Sequence, residues 1–224
     1  MPAAALEELA LVAQGCTRCR LAEGRRTVVF GMGDPEADLM FVGEGPGEQE
    51  DLQGLPFVGR SGQLLDRLIA EEMGMSRQPG GGVYIANVVK CRPPGNRDPQ
   101  PDEIDACHPY LQGQLELIDP RVIVALGNFS AKLLLGTTVG ITKLRGRVYP
   151  FGGRLLVPTY HPAAILRGGG DKLAEMRADL VRAKQALLAP PPSTDEAPLP
   201  SPTGPAAQSA PHGAGTEPAS LFEP

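Results

Sequence analysis

Four short apolar runs punctuate the chain: Asp38–Val42 (DLMFV), Val83–Val89 (VYIANVV), Arg121–Leu126 (RVIVAL) and Leu155–Pro158 (LLVP). Near-continuous apolar runs of this length predict strands buried on both faces. Between them the apolar spacing changes to that of helices. Gly62–Met73 places Leu64, Leu65, Leu68 and Ile69 on one face, and Pro101–Ile118 does the same with Ile104, Leu111, Leu115 and Ile118. Asn128–Leu135 reads as a short helix. Asp171 opens a last one through Leu188, with Leu173, Met176, Leu180 and Leu187 inward. Ala3–Gln14 is amphipathic and is stopped by Gly15. Strands alternating with helices predict an α/β fold, a four-stranded parallel sheet covered on both faces.

Composition changes this picture at one end. Ten of the 24 prolines fall in Pro190–Pro224, a stretch without Lys or Arg whose acidic residues are Asp195, Glu196, Glu217 and Glu223. Such Pro/Ala/Ser-rich sequence buries too little apolar surface to offset its ordering entropy, so the expected organisation is a folded domain over 1–189 and a disordered acidic tail over 190–224. The tail carries most of the net charge of −5 and leaves the folded part near neutral, a balance that does not exclude nucleic acid. No apolar run is long enough to span a membrane, and Glu7 and Glu8 argue against a secretory signal. The expected location is cytoplasmic, with the nucleoid as the neighbourhood and a monomer as the state.

In open α/β sheets the ligand crevice lies beyond the carboxyl ends of the strands. Those ends bring Glu44, Asn87, Asn128 and His161 to one crevice: a carboxylate, two amides and an imidazole. The loop after the first strand, GEGPGEQED (Gly43–Asp51), allows close approach of its backbone to a ligand through Gly43, Gly45 and Gly47. It is not a phosphate loop, since no Gly-Lys-Ser/Thr follows. Phe57, in the apolar patch Leu55-Pro56-Phe57-Val58, is suited to stack on a flat ligand. The loop after the fourth strand, HPAAILR (His161–Arg167), offers a hydrogen-bond donor. It then sets Ile165, Leu166 and Arg167, apolar bulk beside a cation, in a pattern suited to wedging into a base stack.

Cys16 and Cys19 form one C-x-x-C pair, while Cys91 and Cys107 stand singly. Absence of a second pair is poor spacing for a zinc ribbon, and one C-x-x-C with single cysteines also serves iron–sulfur clusters. Composition leaves zinc and a cluster both open.

Taken in order, these blocks resemble the family 4 uracil-DNA glycosylases, the iron–sulfur branch of bacteria and archaea. GEGPGEQED resembles that family's first motif, GLPFVGRSGQLLD its stacking segment, NVVKCRPPGNRDPQP its Asn- and Cys-bearing stretch and HPAAILR its second motif. The resemblance runs from about Cys16 to Leu187. It implies a three-layer α/β/α sandwich and a [4Fe–4S] cluster on Cys16, Cys19, Cys91 and Cys107. It also implies uracil-containing DNA, single or double stranded, as substrate. By the same resemblance Glu44 serves the water and the sugar cation, and His161 the leaving uracil anion. Gly43, Gly45, Phe57 and Asn87 bind the flipped base, and Ile165, Leu166 and Arg167 fill the vacated stack. In the loop Gly43–Asp51, Glu50 and Asp51 are the candidates for excluding thymine.

Two rivals differ in chemistry: a relative that traps uracil-DNA covalently through a histidine, and a cluster-bearing DNA-binding module without catalysis. CRPPGNRDPQPDEI has no histidine before His108, which favours turnover. In the tail, Leu221-Phe222 resembles the ending of peptides bound by bacterial sliding clamps, which makes such a clamp a candidate partner.

Overall fold

The computed structural model describes residues 2–168 and 170–189. The expected disordered tail and its Leu221-Phe222 ending lie outside the described residues. A six-stranded sheet runs in the order β1-β3-β2-β4-β6-β5. Its four central strands are β3 (Val83–Asn87), β2 (Leu39–Gly43), β4 (Val122–Leu126) and β6 (Arg154–Thr159), all mutually parallel. They are the four strands expected from the apolar runs. The expected strand count needs correction. Two edge strands, β1 (Met32–Gly33) and β5 (Tyr149–Phe151), pair antiparallel with β3 and β6. At two and three residues they are too short to leave an alternating pattern.

The strand pleat sorts the core into two layers. Met40, Val42, Tyr84, Ala86, Ile123, Ala125 and Leu156 face α1 (Pro2–Gln14), α5 (Pro101–Ile118) and α6 (Asn128–Leu135). Leu39, Phe41, Val83, Ile85, Val122, Val124 and Val157 face α4 (Arg60–Met73) and α9 (Gly170–Leu188). Period-2 alternation with both faces apolar is why the strands read as unbroken hydrophobic runs. Among the described residues no helix is long and apolar enough to cross a membrane.

The chain leaves β2 toward β3 on one side and β4 toward β6 on the other. The crevice at that reversal, beyond the ends of β2 and β4, is where ligands of open α/β sheets bind.

One polar network braces the far side of this crevice. The fully buried Asp179 of α9 accepts from Arg145 Nε at 2.9 Å, Thr159 Oγ1 at 2.9 Å, Gly146 N at 3.1 Å and Arg182 Nη1 at 3.1 Å. Arg145 also lies 5.5 Å from the Tyr160 ring, one residue before His161. Asp179→Ala takes one of two carboxylates from the mostly buried Arg145, which keeps Glu175, and leaves Gly146 N and Thr159 Oγ1 without their acceptor. The expected cost is about 3–5 kcal/mol in chemical denaturation, the range for breaking one side of a buried pair.

Candidate active site

A cleft of about 1120 Å³ opens at the strand ends, and Glu44, Phe57, Asn87 and His161 all line it. Asn87 ends β3 in register with Gly43 at the end of β2. Its side chain is almost fully enclosed, and Oδ1 is a buried acceptor without a partner. The close pairing requires glycine at 43, because a Cβ there would run into Asn87 Oδ1 and stand 2.7 Å from Phe57 Cζ.

Phe57 is held in the left-handed region, with φ at 53°. Non-glycine residues stay there only when their surroundings over-determine them. Arg77 donates to Pro56 O at 2.6 Å and to Phe57 O at 2.8 Å, and it is itself paired with Asp66. Gly62 of α4 packs so tightly under the Phe57 carbonyl that a Cβ would overlap the peptide group. Neither Arg77 nor Gly62 has a sequence signal for this role, which depends on contacts with the turn around Phe57. Gly62→Ala is therefore expected to tip the Phe57 ring and lower kcat/KM by about 10²-fold, the effect of roughly 1 Å of misplacement. A thermal melt beside the kinetics separates this from unfolding.

Phe57 also stacks on His161, with ring centroids 5.6 Å apart and planes inclined by 29°. His161 caps α8 (Pro162–Leu166), its Nδ1 accepting from Ala163 N at 3.1 Å. With Nδ1 used as acceptor, a neutral ring carries its proton on Nε2. Burial, reinforced by Arg167, lowers the His161 pKa to about 4 against an opposing pull from Glu50. His161 is thus a neutral donor at physiological pH.

Glu44 moves the other way. Burial, then the charge of Asp98 and a hydrogen bond with it, raise its pKa to about 7. Asp98 also lines the cleft. Its loop is fastened to α5 by Arg97, which grips the fully buried Glu103 at 2.8 and 2.6 Å. Glu103 closes the helix by accepting from Gln100 N at 2.9 Å.

The first motif is partly helical: α3 (Glu48–Gln53) begins inside the stretch read as a loop. That helix separates its acids. Glu50 lines the cleft and accepts from Val58 N at 2.9 Å and Gly59 N at 3.0 Å. Asp51 is buried away from it, accepting from Arg26 N and Thr27 N. Asn128 borders the cleft, but its Oδ1 accepts from Ile141 N at 3.1 Å. In α8, Ile165 packs partly against the α4–α9 core, while Leu166 is 43% exposed and Arg167 is exposed at the cleft.

On the opposite side of β3, all four cysteines line a second, smaller pocket together with Arg25, Lys90 and Tyr110. Cys16 and Cys19 follow α1, Cys91 follows β3 and Cys107 lies in α5, so the pocket joins three parts of the chain. Lys90 N donates to Cys107 Sγ at 3.2 Å and Arg25 Nη1 to Cys91 Sγ at 3.6 Å. Burial pushes the free Cys91 thiol up to about 11, with Arg25 opposing, and burial raises Cys107 too. Among the described residues no three His, Cys, Asp or Glu side chains form a group fitted to a single metal ion. Four thiols around a shared pocket, with the Arg25 guanidinium and the Lys90 backbone N–H directed at sulfur, suit a larger anionic group.

Residues 30–184 match the uracil DNA glycosylase superfamily. The chain is 45% identical over 188 residues to a type-4 uracil-DNA glycosylase of Saccharolobus solfataricus, covering 80% of this chain and 85% of the relative. It is 46% identical over 175 residues to one of Thermotoga maritima, covering 77% and 89%. A type-5 uracil-DNA glycosylase of Thermus thermophilus is 37% identical over 151 residues, covering 59% and 68%. Identity and coverage are both greater toward these type-4 proteins than toward the type-5 one, and this chain belongs to the type-4 uracil-DNA glycosylases.

Proposed function

We propose that this chain hydrolyses the N-glycosidic bond of deoxyuridine in DNA, releasing uracil and leaving an abasic site for base excision repair. The observation that carries this reading is the partnerless Asn87 Oδ1 at the cleft. A buried acceptor without a donor costs about 1–3 kcal/mol, which a ligand N–H recovers. Uracil presents N3–H beside the O4 carbonyl, and one amide that accepts at Oδ1 and donates from Nδ2 matches both. Cytosine reverses that edge and leaves the amide unpaired.

The bond is out of reach inside a duplex, so the nucleotide is flipped into the cleft at a cost of a few kcal/mol. Phe57 stacks on the extruded ring, and the Gly43–Gly45 backbone lets it seat closely. As the bond breaks, negative charge grows on uracil O2, where Nε2–H of neutral His161 donates. The sugar becomes cationic. Ionised Glu44 offsets that charge, orients the water and accepts its proton at the carboxylate. Leu166 and Arg167 occupy the gap left in the stack, with Ile165 anchoring their helix.

The cysteine pocket fits a [4Fe–4S] cluster on Cys16, Cys19, Cys91 and Cys107. When bound, it supplies a structural tie, fixing the N-terminal segment to the Cys91–Cys107 loop that carries Asp98. About four irons per chain and a broad absorption shoulder in the visible blue are expected. One zinc and no colour would overturn this assignment.

Base release from an oligonucleotide bearing one deoxyuridine, read by alkaline cleavage, tests the activity against a thymine-bearing twin. Cleavage at uracil alone is expected. A denaturation-resistant protein–DNA band would indicate the covalent trapping reaction instead, and binding without either product would indicate a non-catalytic module.

A further inference from the structure

Lys90 is 1% exposed, and its ammonium meets neutral partners: Asn87 O at 2.7 Å, Gln114 Oε1 at 2.5 Å and the Phe30 ring at 5.8 Å. Among the described residues it has no carboxylate partner. A buried lysine without a counter-charge is costly, and such groups normally occur paired. Lys90 also lines the cysteine pocket and follows Asn87 by three residues.

We propose that Lys90 is the counter-cation of the iron–sulfur site and, through the same ammonium, the positioning residue that fixes the base-reading Asn87. This rests on the cluster reading above. Four thiolates outweigh the positive charge of a cluster core, so the ligated group is an anion beside a buried cation. One ammonium then answers both sides: its charge offsets the ligated group, and its hydrogen bond pins the carbonyl of Asn87 at the end of β3. Gln114 completes the clamp, its Nε2 donating to Phe30 O at 2.9 Å and Tyr84 Oη at 3.3 Å. Loss of the lysine would loosen the cluster and the uracil-reading amide together, although their pockets are separate.

The test loads wild type, Lys90→Met and Gln114→Glu with iron anaerobically, then follows iron release to a ferrous chelator in air alongside uracil-excision kinetics. Lys90→Met is expected to release iron at least tenfold faster, with KM raised more than kcat is lowered. Gln114→Glu gives the ammonium a carboxylate of its own and is expected to speed iron release as well. A lysine serving packing alone would be gripped more firmly by that introduced carboxylate and leave retention unchanged. Wild-type iron retention in folded Lys90→Met overturns the proposal, as does wild-type retention in Gln114→Glu where the first variant does not fold. Wild type that takes up no iron removes the cluster and this proposal with it. Loaded wild type with unchanged variants removes the role of the lysine alone.

Discussion

Glu44→Gln is expected to lower single-turnover uracil release by about 10²–10⁴-fold at pH 8, the usual contribution of a positioned general base. The amide keeps the shape of the carboxyl but neither accepts the water proton nor offsets a cationic sugar. Wild type should show a matching pH dependence. With the Glu44 pKa raised to about 7, the carboxylate is lost as pH falls through that value. The rate should drop toward tenfold per unit below it and level off above. His161, with a pKa near 4, stays neutral across this range and adds no second limb. Asp98→Asn removes the neighbouring charge, so the midpoint should move to lower pH.

Stability supplies an independent check on the same residue. A carboxyl whose folded pKa lies above its unfolded value stabilises less once pH exceeds the unfolded pKa, here 4.5, and the deficit grows up to about pH 7. Glu44→Gln should therefore melt higher than wild type at pH 8, with that advantage fading toward pH 4.5. An active-site carboxyl is expected to trade stability for function in this direction. A variant that is inactive and less stable at pH 8 would assign Glu44 a structural role instead.

His161→Ala is expected to cost about 10²–10³-fold in the chemical step, the range for removing one donor aimed at a developing anion. Nδ1 is occupied by Ala163 N, so Nε2 is the ring atom available to a ligand. Two consequences separate this from general damage. The loss should appear in kcat more than in KM, because charge on O2 is largest in the transition state. It should also persist from pH 5.5 to 9, since a neutral donor does not titrate there. A steep recovery at low pH would mean that the imidazolium is the working form.

The four central strands were legible because each is buried on both faces and so leaves an unbroken apolar run. Reading the residue at each strand end was then enough to bring Glu44, Asn87 and His161 to one crevice. β1 and β5 were not legible: two- and three-residue edges owe their pairing to the neighbouring strand rather than to their own pattern. The parts of the site that sequence missed act through other residues. Asp98 reaches Glu44 because Arg97 and Glu103 fasten its loop, and Arg77 and Gly62 shape Phe57 across the turn. Similarly, Glu50 and Asp51 are adjacent in sequence, but α3 sends only Glu50 to the cleft.

The central claim is that the partnerless Asn87 Oδ1 reads the N3–H of a flipped uracil. Single-turnover release from oligonucleotides carrying either deoxyuridine or its 3-methyl derivative, by wild type and Asn87→Ala, tests it most directly. Wild type is expected to prefer deoxyuridine by about 10⁴-fold or more, as sites built to pair a polar group do, and Asn87→Ala to lose most of that preference. Equal rates for wild type on the two substrates, or a preference that survives Asn87→Ala intact, would contradict the account.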